Sequence, residues 1–478
     1  MMSPGRTIYA KLDWTLILCY ILLAVFGWLN IYASTYSEGG EGIFSLATRS
    51  GNQLMWIGIA AVTAFVIIFV PGSRFWRTVS WPLYGLSVLL LTAVLLFGHE
   101  VNGSRSWLTL PGGFAIQPSE FSKIATALCL SRIMGGYGFK LANTQDFLKV
   151  AAVIAIPVGL IVLEPDVGTV LVYCSLAFML YREGLPGKFL GFAGLAILLF
   201  LMTLRFSPSV SLLITAGITC ATLVMASRHP IRTALISAAS IAAAAFIPRL
   251  LRVESVARLH LPAPEYWILG IMVLAAAVIS VICIRRNIRG WARYLLIPTV
   301  SIALIFSVDF IFHNVLKPHH RDRIENLLGI SEDPMGAGYN VNQSRIAIGS
   351  GGLTGKGFLQ GTQTKFNFVP EQSTDFIFCT IGEEWGFVGS IAVLAVFLIL
   401  IMRIVTTAER QKDRSIRVYG YCVASYLFMH VFVNIGMTTG IMPVVGIPLP
   451  LISYGGSSFL TFTILLFIYI RFDLERWK

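Results

Sequence analysis

The stretch that decides the fold is PEQSTDFIFCTIGEEWGFVGSIAVLAVFLILIM, residues 370–402. At Phe376 a polar segment gives way to an apolar run that is long enough to cross a bilayer, which takes roughly 20 residues. Asp375 therefore lies at the mouth of a predicted membrane helix. Glu383 and Glu384 follow about 12 Å further along, at about 1.5 Å per residue. Because an ionised carboxylate is costly inside a membrane, a structural ion pair is favoured over catalysis for these two.

Two roles are open for Asp375 on spacing alone. Ser, Thr and Asp are the preferred N-cap residues, and a carboxylate is favoured at a helix N-terminus. Helix capping is therefore the simpler role, and catalysis is the alternative.

Apolar runs of this kind recur along almost the whole chain. Of its 478 residues, 56% are hydrophobic and only 13% are charged, which excludes a soluble globular domain. The sequence predicts an all-α polytopic membrane protein with about 14 transmembrane helices. The predicted spans start near residues 14, 52, 81, 119, 148, 166, 188, 209, 231, 265, 294, 376, 416 and 453. The first run lacks a small-residue cleavage pattern and is interpreted as a retained helix.

The distribution of charge predicts the topology. A formal net charge of +12 could indicate nucleic acid, but Lys and Arg are concentrated in short alternate loops from Arg74 to Arg417. This positive-inside pattern predicts a cytoplasmic (inner) membrane protein with both termini in the cytoplasm and no nucleic-acid partner. The basic stretch Arg249–His260 breaks the pattern, and either an interfacial helix or a miscounted span would explain it. The seven cysteines occur singly, which predicts packing residues rather than a metal site.

Residues 314–374 form a long polar segment on the predicted extracytoplasmic side, far longer than an ordinary connection between helices. Six glycines fall between positions 349 and 361, which predicts tight turns and close approach to a ligand rather than a packed helix. A cationic, glycine-rich loop at a membrane surface suits an anionic substrate such as a lipid pyrophosphate. Its cations are Lys317, Arg321, Arg323, Arg345, Lys356 and Lys365.

Three further clusters lie at the same predicted side. Glu120 and Lys123 are three residues apart on one helical face and can pair. Glu164 and Asp166 flank a proline that prevents a continuous helix between the fifth and sixth spans. Segment 440–458 interrupts the apolar runs with three prolines and four glycines, which is tolerated only where it is buried in protein or lines a cavity. Capping, turn formation or packing could account for each cluster, but their convergence on one side indicates a site.

Several of these strings together resemble the SEDS family of peptidoglycan polymerases. The strings near the C-terminus are Pro370-Glu371 with Thr374 to Phe378 and Glu383-Glu384, the run Gln343 to Gly352, and Pro448-Leu449-Pro450 with Ser453 to Ser458. Those nearer the N-terminus are Arg105-Ser106-Trp107, Gln117 to Glu120, and Glu164-Pro165-Asp166 with Gly168-Thr169. Asn30-Ile31-Tyr32 and Pro443 to Pro448 are similar to the elongation (rod-shape) branch of the family.

The resemblance implies a glycosyltransferase that polymerises lipid II outside the cytoplasmic membrane during cell elongation. It implies two kinds of partner, a class B penicillin-binding protein and other membrane proteins of the elongation complex. It also implies that Asp375 is the essential acidic residue. Because family members have about ten spans, the chain is predicted to divide into a core at 1–187 with helices 1–6, four inserted helices at 188–290, and a core at 291–478 with the loop 314–374 and the last three helices.

The implied reaction inverts the anomeric carbon, because lipid II carries an α-linked pyrophosphate and the glycan product is β-1,4-linked. Asp375 is predicted as the catalytic base by analogy with inverting glycosidases, although a carboxylate that caps a helix is a weak base. A divalent cation, Mg²⁺ or Mn²⁺, is a candidate cofactor beside protein cations, and no residue is predicted as a metal ligand. The substrate-binding candidates are Arg49, Arg105, Glu120, Lys123, Glu164, Asp166, Arg321, Gln343, Ser344, Arg345, Lys356 and Lys365.

Two other functions fit parts of the pattern. A flippase for the lipid-linked precursor would also need a polar cavity with buried charges. A long glycine-rich loop on one side only argues against transport. The second is a non-catalytic scaffold of the elongation machinery, and the clustered acids and bases argue against this function.

Overall fold

The computed structural model forms two compact units, Met1–Pro186 with Pro334–Lys478, and Gly187–Asp333. It describes residues 12–36, 42–101, 104–109, 115–206, 210–217, 292–310, 338–366 and 368–475, together with 235, 238–239, 242, 270 and 312. The second unit begins beside the predicted boundary at 187, but it extends beyond position 290. The predicted division of domains stays a prediction.

The described elements are almost all helical. The first unit contains α1 (Trp14–Thr35), α2 (Arg49–Phe69), α3 (Ser73–Phe97), α4 (Pro118–Met134), α5 (Thr144–Leu163), α6 (Val167–Cys174), α7 (Leu176–Arg182), α10 (Tyr339–Ser350), α11 (Thr362–Lys365), α12 (Ile377–Glu409), α13 (Arg414–Thr439) and α14 (Gly456–Leu474). The second unit contains α8 (Gly187–Phe206) and α9 (Ala292–Phe310).

Seven of the described helices are long and apolar enough to cross a membrane, namely α1, α2, α3, α5, α12, α13 and α14. The chain is therefore a multi-pass helical membrane protein, as predicted. Helix α3 begins at Ser73, so Arg74 and Arg77 lie in its first turns rather than in a loop. The predicted spans near 231 and 265, most of the span near 209, and the stretch 249–260 lie outside the described residues. The count of about 14 spans thus stays a prediction.

Helices α13 and α14 form the centre of the first unit. In the most apolar stretch of each helix, the buried share of residues is 78% for α13 and 83% for α14. The corresponding share for α5 is 22%. Gly420 of α13 lets the two helices approach, because a Cβ there would lie 2.6 Å from the ring of Tyr469. Helix α4 packs between α3 and α13 and is buried on most of its surface, including Glu120 and Lys123. Charged residues at such positions usually have a function.

A small antiparallel sheet between α3 and α4 was not predicted. Strands β1 (His99–Val101), β2 (Ser104–Thr109) and β3 (Ala115–Ile116) pair in the order β1-β2-β3. On β2 the side chain of Arg105 is exposed and that of Ser106 is buried, as alternation along a strand requires. The fold is therefore helical with a small sheet rather than purely α-helical.

The described part of the predicted loop 314–374 contains two helices, α10 and α11, and the glycine-rich residues 351–361 between them form turns, as their composition predicted. Its glycines serve contact with α12. A Cβ on Gly351 would lie 2.0 Å from the carbonyl oxygen of Gly382, and one on Gly355 would lie 2.1 Å from that of Glu384. The glycine-rich segment therefore allows two stretches of backbone to touch, where the sequence predicted approach to a ligand.

Helix α12 is broken at Gly386, whose φ of 64° and ψ of −161° favour glycine. The glycine-rich segment supplies hydrogen bonds on both sides of the break. The backbone N–H of Lys356 donates to the backbone carbonyl oxygen of Glu383 at 3.0 Å. The backbone N–H of Phe387 donates to the carbonyl oxygen of Gly352 at 2.9 Å. A break at membrane depth requires such replacement partners, because its freed backbone groups cannot be left unbonded there.

Candidate active site

Asp375 lies in the turn that leads into α12 and is half-buried. The helix starts at Ile377, and Phe376 holds the N-cap position without a capping side chain. Of the two roles left open for Asp375, the N-cap position therefore belongs to the next residue, Phe376. The backbone carbonyl of Asp375 accepts a hydrogen bond of 2.8 Å from Nδ2 of Asn434.

The turn before α12 is held against segment 446–454 of the proline-rich break. Ser453 Oγ donates to the carbonyl oxygen of Thr374 at 2.6 Å. The backbone N–H of Tyr454 donates to the carbonyl oxygen of Ser373 at 2.8 Å. The break therefore does more than fill space, because it fixes the two residues that precede Asp375.

A third part of the chain reaches the same turn. Arg49, at the start of α2, donates to the hydroxyl of Ser373 and lies 5.9 Å from the ring centroid of Tyr454. On the other side, a Cβ on Gly446 would lie 3.5 Å from Oδ2 of Asp375. The family strings around Asp375 and the break thus meet at one place, and Arg49, a substrate-binding candidate, lies beside them.

Unusual backbone conformations mark both segments that meet at Asp375. Glu371 and Leu451 have φ angles of 52° and 63°, and Gly440 and Gly446 have 79° and 71°. Positive φ is rare for residues other than glycine and persists only where the surrounding structure enforces it. Such conformations cluster at functional sites more often than elsewhere.

Glu120 and Lys123 pair, as predicted from their spacing. Nζ lies 2.7 Å from Oε1, with side chains that are 0% and 4% exposed for Lys123 and Glu120. Nζ also lies 2.9 Å from Nε2 of His430, whose Nδ1 lies 3.2 Å from the carbonyl oxygen of Pro448. Among the residues that the structure describes, Oε2 of Glu120 has no hydrogen-bond partner. The pair is therefore linked through His430 to the same break as the Asp375 turn, and it keeps one acceptor available.

The acidic turn between α5 and α6 contains one capping residue and one buried carboxyl group. Asp166 caps α6, since Oδ1 accepts from the N–H of Thr169 at 3.0 Å and Oδ2 accepts from Gln117 at 3.1 Å. A structural role therefore accounts for these bonds. Glu164 is fully buried, and this burial, with the neighbouring Asp166 carboxylate adding to the effect, raises the pKa of Glu164 to about 8.

Lys356 makes a structural contact. Its Nζ lies 2.7 Å from Oε1 of the fully buried Glu383. The same carboxylate accepts the backbone N–H groups of Gln363 and Thr364 at 2.9 and 3.0 Å. The ion pair expected for Glu383 is thus confirmed, and it holds α11 against α12. For Glu384, no hydrogen-bond partner of Oε2 occurs among the described residues.

The other substrate-binding candidates are spread over several elements. Ser344 is buried on α10, where its hydroxyl donates to the carbonyl oxygen of Thr438 at 2.9 Å, so that group is already used. Gln343 is half-buried and Arg345 exposed beside it. The remaining candidates are Arg105, exposed on β2, Lys365, half-buried on α11, and Arg321, outside the described residues. Their roles toward substrate stay predictions.

His430 and Asn434, whose side chains lie within hydrogen-bond distance of carbonyls of the break, were not predicted as functional residues. Both are buried polar side chains inside a predicted span. Such residues are costly in a membrane, and this signal could have identified them.

Comparison with known proteins matches residues 13–237 and 247–477 to the family FTSW_RODA_SPOVE, described as cell cycle protein. The chain is 33% identical over 457 residues to the peptidoglycan glycosyltransferase RodA of Treponema pallidum, covering 94% of each chain. It is 32% identical over 450 residues to the peptidoglycan glycosyltransferase MrdB of Escherichia coli K12, covering 94% of this chain and 89% of the other. A solved structure concerning the coordination of polymerization and crosslinking by a peptidoglycan synthase complex is 25% identical, with a TM-score of 0.61 and coverage of 98% and 99%.

The matched residues include most of 188–290. The interpretation of this segment as four inserted helices stays a prediction. The Asp375 turn, the buried Glu120–Lys123 pair and the proline-rich break all lie within the matched ranges. The chain belongs to the FtsW/RodA/SpoVE family, the SEDS family that its motifs resemble.

Proposed function

We propose that this chain is a peptidoglycan glycosyltransferase of the elongation branch, which polymerises lipid II into β-1,4 glycan strands and releases undecaprenyl diphosphate. The names of the RodA and MrdB relatives support the activity and the branch. The observation that carries the proposal is that two family strings, the turn that holds Asp375 and the proline-rich break, are hydrogen-bonded to each other, with Arg49 and Asn434 bonded to the same turn. A half-buried carboxylate on a turn that several hydrogen bonds hold in place suits proton transfer at a membrane surface.

In the proposed reaction Asp375 is the general base. The acceptor sugar's hydroxyl oxygen attacks the anomeric carbon of the donor, and its proton passes to the carboxylate of Asp375. The bond between the anomeric carbon and the pyrophosphate oxygen breaks, and the electron pair leaves with undecaprenyl diphosphate. A single displacement of this kind inverts the anomeric carbon, as in inverting glycosidases.

The leaving pyrophosphate needs positive charge. Arg49 is the best candidate in the described part of the chain, because it contacts the turn of Asp375 directly. Lys123 and Lys356 are each engaged by a buried carboxylate. No group of three or more His, Cys, Asp or Glu in the described residues is arranged to hold a metal ion. A divalent cation would therefore share its ligands with the pyrophosphate itself, which is rich in oxygen.

The same proposal includes orientation and partners. Both termini lie in the cytoplasm, and the Asp375 end faces outward, because the arginine-rich ends of α7, α12 and α13 lie at the opposite end. A class B penicillin-binding protein is the proposed partner, supported by the likeness to a structure from a peptidoglycan synthase complex. Other membrane proteins of the elongation complex are further partners.

A flippase for the lipid-linked precursor is the second candidate, and the buried Glu120–Lys123–His430 group favours it because transport paths contain such charges. The two functions differ in what they need from Asp375. A polymerase needs a proton acceptor there. A transporter needs only a polar side chain of similar size.

Replacement of Asp375 by Asn tests the proposal with purified chain, lipid II and the cognate penicillin-binding protein. The amide cannot accept the proton, so glycan synthesis should fall by about 10²–10⁴-fold, typical of a lost general base. Glu371→Gln is the matched control, since this exposed carboxylate lies in the same turn and bonds only Thr374 among its described side-chain contacts. A purified Asp375→Asn chain that builds glycan within a few-fold of the parent rate would overturn the role of Asp375. The flippase would be favoured if the parent chain made no polymer, and if Asp375→Asn moved labelled lipid II across a liposome membrane as fast as the parent does.

A further inference from the structure

Asn434 lies directly beneath the Asp375 turn on the central helix α13. It is fully buried, and its Nδ2 donates two hydrogen bonds, to the carbonyl oxygens of Asp375 at 2.8 Å and of Ile447 at 2.7 Å. A side-chain amide has two N–H donors, so both are used. One side chain thus ties the residue proposed as the base to the proline-rich break.

His430 extends this contact one helical turn away. Residues four apart lie on the same face of a helix, so His430 and Asn434 face the break together. The carbonyl oxygen of Pro448 can only accept, so Nδ1 of His430 carries the proton and Nε2 accepts from the ammonium of Lys123. Two consecutive carbonyl groups of the break are therefore held by two donors of α13.

Residues 441–455 of the break form no helix or strand that would set their conformation. The geometry of the break depends on contacts such as these, because its carbonyl groups have few regular backbone partners. Oδ1 of Asn434 is buried and has no hydrogen-bond partner among the described residues. An unbonded buried acceptor is unfavourable, and an apolar side chain of the same size would avoid it. The donors of Asn434 therefore account for the presence of an amide at this position.

We propose that Asn434 is a positioning residue for glycan polymerisation, which fixes the backbone of Asp375 against Ile447 and so sets the position of the Asp375 carboxylate. This inference rests on the proposed role of Asp375 as the base. Asn434 acts through backbone groups and takes no proton itself. Its loss should therefore slow the chemical step while substrate binding is retained.

The test compares Asn434→Leu and Asn434→Ser in steady-state polymerisation of lipid II by the full chain with its partner. Leucine keeps the volume but has no donor, so kcat should fall by roughly 10–100-fold, since a displacement of about 1 Å can cost this much. Serine keeps one donor and should lose less. KM for lipid II should stay within about three-fold, because ground-state binding is unaffected. The split between kcat and KM separates positioning from general loss of structure.

Thr438→Val is the matched control. Thr438 is buried one turn further along α13, and its hydroxyl bonds only carbonyls of its own helix, at 3.0 Å from Asn434 and 3.0 Å from Ile435. Its kcat and KM should stay at parent values. If Asn434→Leu does not fold, the kcat and KM of Asn434→Ser are compared with those of Thr438→Val instead. A lower kcat in Asn434→Ser alone, at similar KM, supports the positioning role, and equal kcat values overturn it.

Each outcome separates this inference from the proposed function. An inactive Asp375→Asn with a parent-like kcat in folded Asn434→Leu would overturn the positioning role alone. A raised KM with unchanged kcat would overturn it too, because it indicates lost binding. An active Asp375→Asn would remove the proposed base, and a slow Asn434→Leu would then reflect something other than alignment of that base.

Discussion

The two ends of the first unit are built by different physical means. At the end opposite Asp375, helices are joined by side-chain ion pairs, including Arg77–Asp413, Arg182–Glu409 and Glu183 with Arg414 and Arg417. At the Asp375 end, most contacts involve backbone groups, through hydrogen bonds to backbone carbonyls, glycines without room for a Cβ, and residues with positive φ. Long charged side chains can adapt to a neighbour, whereas backbone contacts allow little adjustment.

The difference follows from what each end has to do. A general base must be held within about half an ångström of its productive position. Backbone contacts achieve this because they leave few rotatable bonds between the fixed groups. The ion-paired end only has to keep the helices together, and its exposed pairs, Arg77–Asp413 and Arg182–Glu409, contribute little individually. Substitutions at the Asp375 end should therefore have the larger effects.

The largest effect is expected from Gly351→Ala. The new Cβ would lie 2.0 Å from the carbonyl oxygen of Gly382, so the glycine-rich segment would have to leave α12. We expect a loss of stability of about 3 kcal/mol or more, at the upper end for overpacking, together with loss of polymerisation. Thermal unfolding in detergent and the polymerisation rate measure both.

Gly349→Ala is the control for this substitution. It lies two residues away on α10, and nothing is within 4 Å of its added Cβ. It should leave the midpoint of unfolding unchanged or raise it slightly, because alanine is favoured over glycine in a helix by roughly 0.5–1 kcal/mol. Equal behaviour of the two variants would contradict the close approach between the segment and α12.

A smaller effect is expected from Lys356→Met, which leaves the buried carboxylate of Glu383 without its cation. Stability should fall by about 1–3 kcal/mol, the cost of an unsatisfied buried group, since backbone N–H groups still bond the carboxylate. The polymerisation rate per folded molecule should change less than the stability. A raised KM for lipid II at unchanged stability would instead support the substrate contact predicted from the sequence.

The sequence was sufficient where the physical signal is local. Long apolar runs predicted α1, α12 and α14, and a spacing of three residues predicted the Glu120–Lys123 pair. It was insufficient where a residue's role depends on a distant partner. The glycines near Gly355 indicated close approach, but only the fold identifies the backbone of α12 as what they approach. Asn434 gave only a weak signal, that of a polar residue inside a predicted membrane helix. Its hydrogen-bond partner Asp375 lies 59 positions away in the sequence.

The ion-paired end allows a test by pH through Glu183→Gln. Burial alone would raise the pKa of Glu183, but hydrogen bonds from Arg417 and Arg414 outweigh it and hold the pKa below its ordinary value. The stabilisation of the folded state by the ionised Glu183 is therefore fully present above about pH 4.3, the pKa of Glu in the unfolded chain. It is lost as the pH falls through the lower pKa of Glu183 in the folded state. The parent should exceed the variant by about 1–2 kcal/mol at pH 7, and the two should converge in acid. A constant difference down to pH 3 would contradict the charge pairing.

The smallest effect is expected from Arg182→Gln, and it tests whether the ion-paired end is tolerant as a whole. The side chains of Arg182 and Glu409 are 53% and 43% exposed, so water and salt screen their attraction. Arg182 also lies 5.8 Å from the ring centroid of Tyr421, a contact that glutamine would lose. Together these exposed contacts should contribute less than about 1 kcal/mol. The midpoint of unfolding should therefore move by at most a few degrees, less so at high salt, and the polymerisation rate should not change. A fall in rate at unchanged stability would mean that the two ends are coupled, and the backbone contacts around Asp375 would then not be sufficient to fix the site.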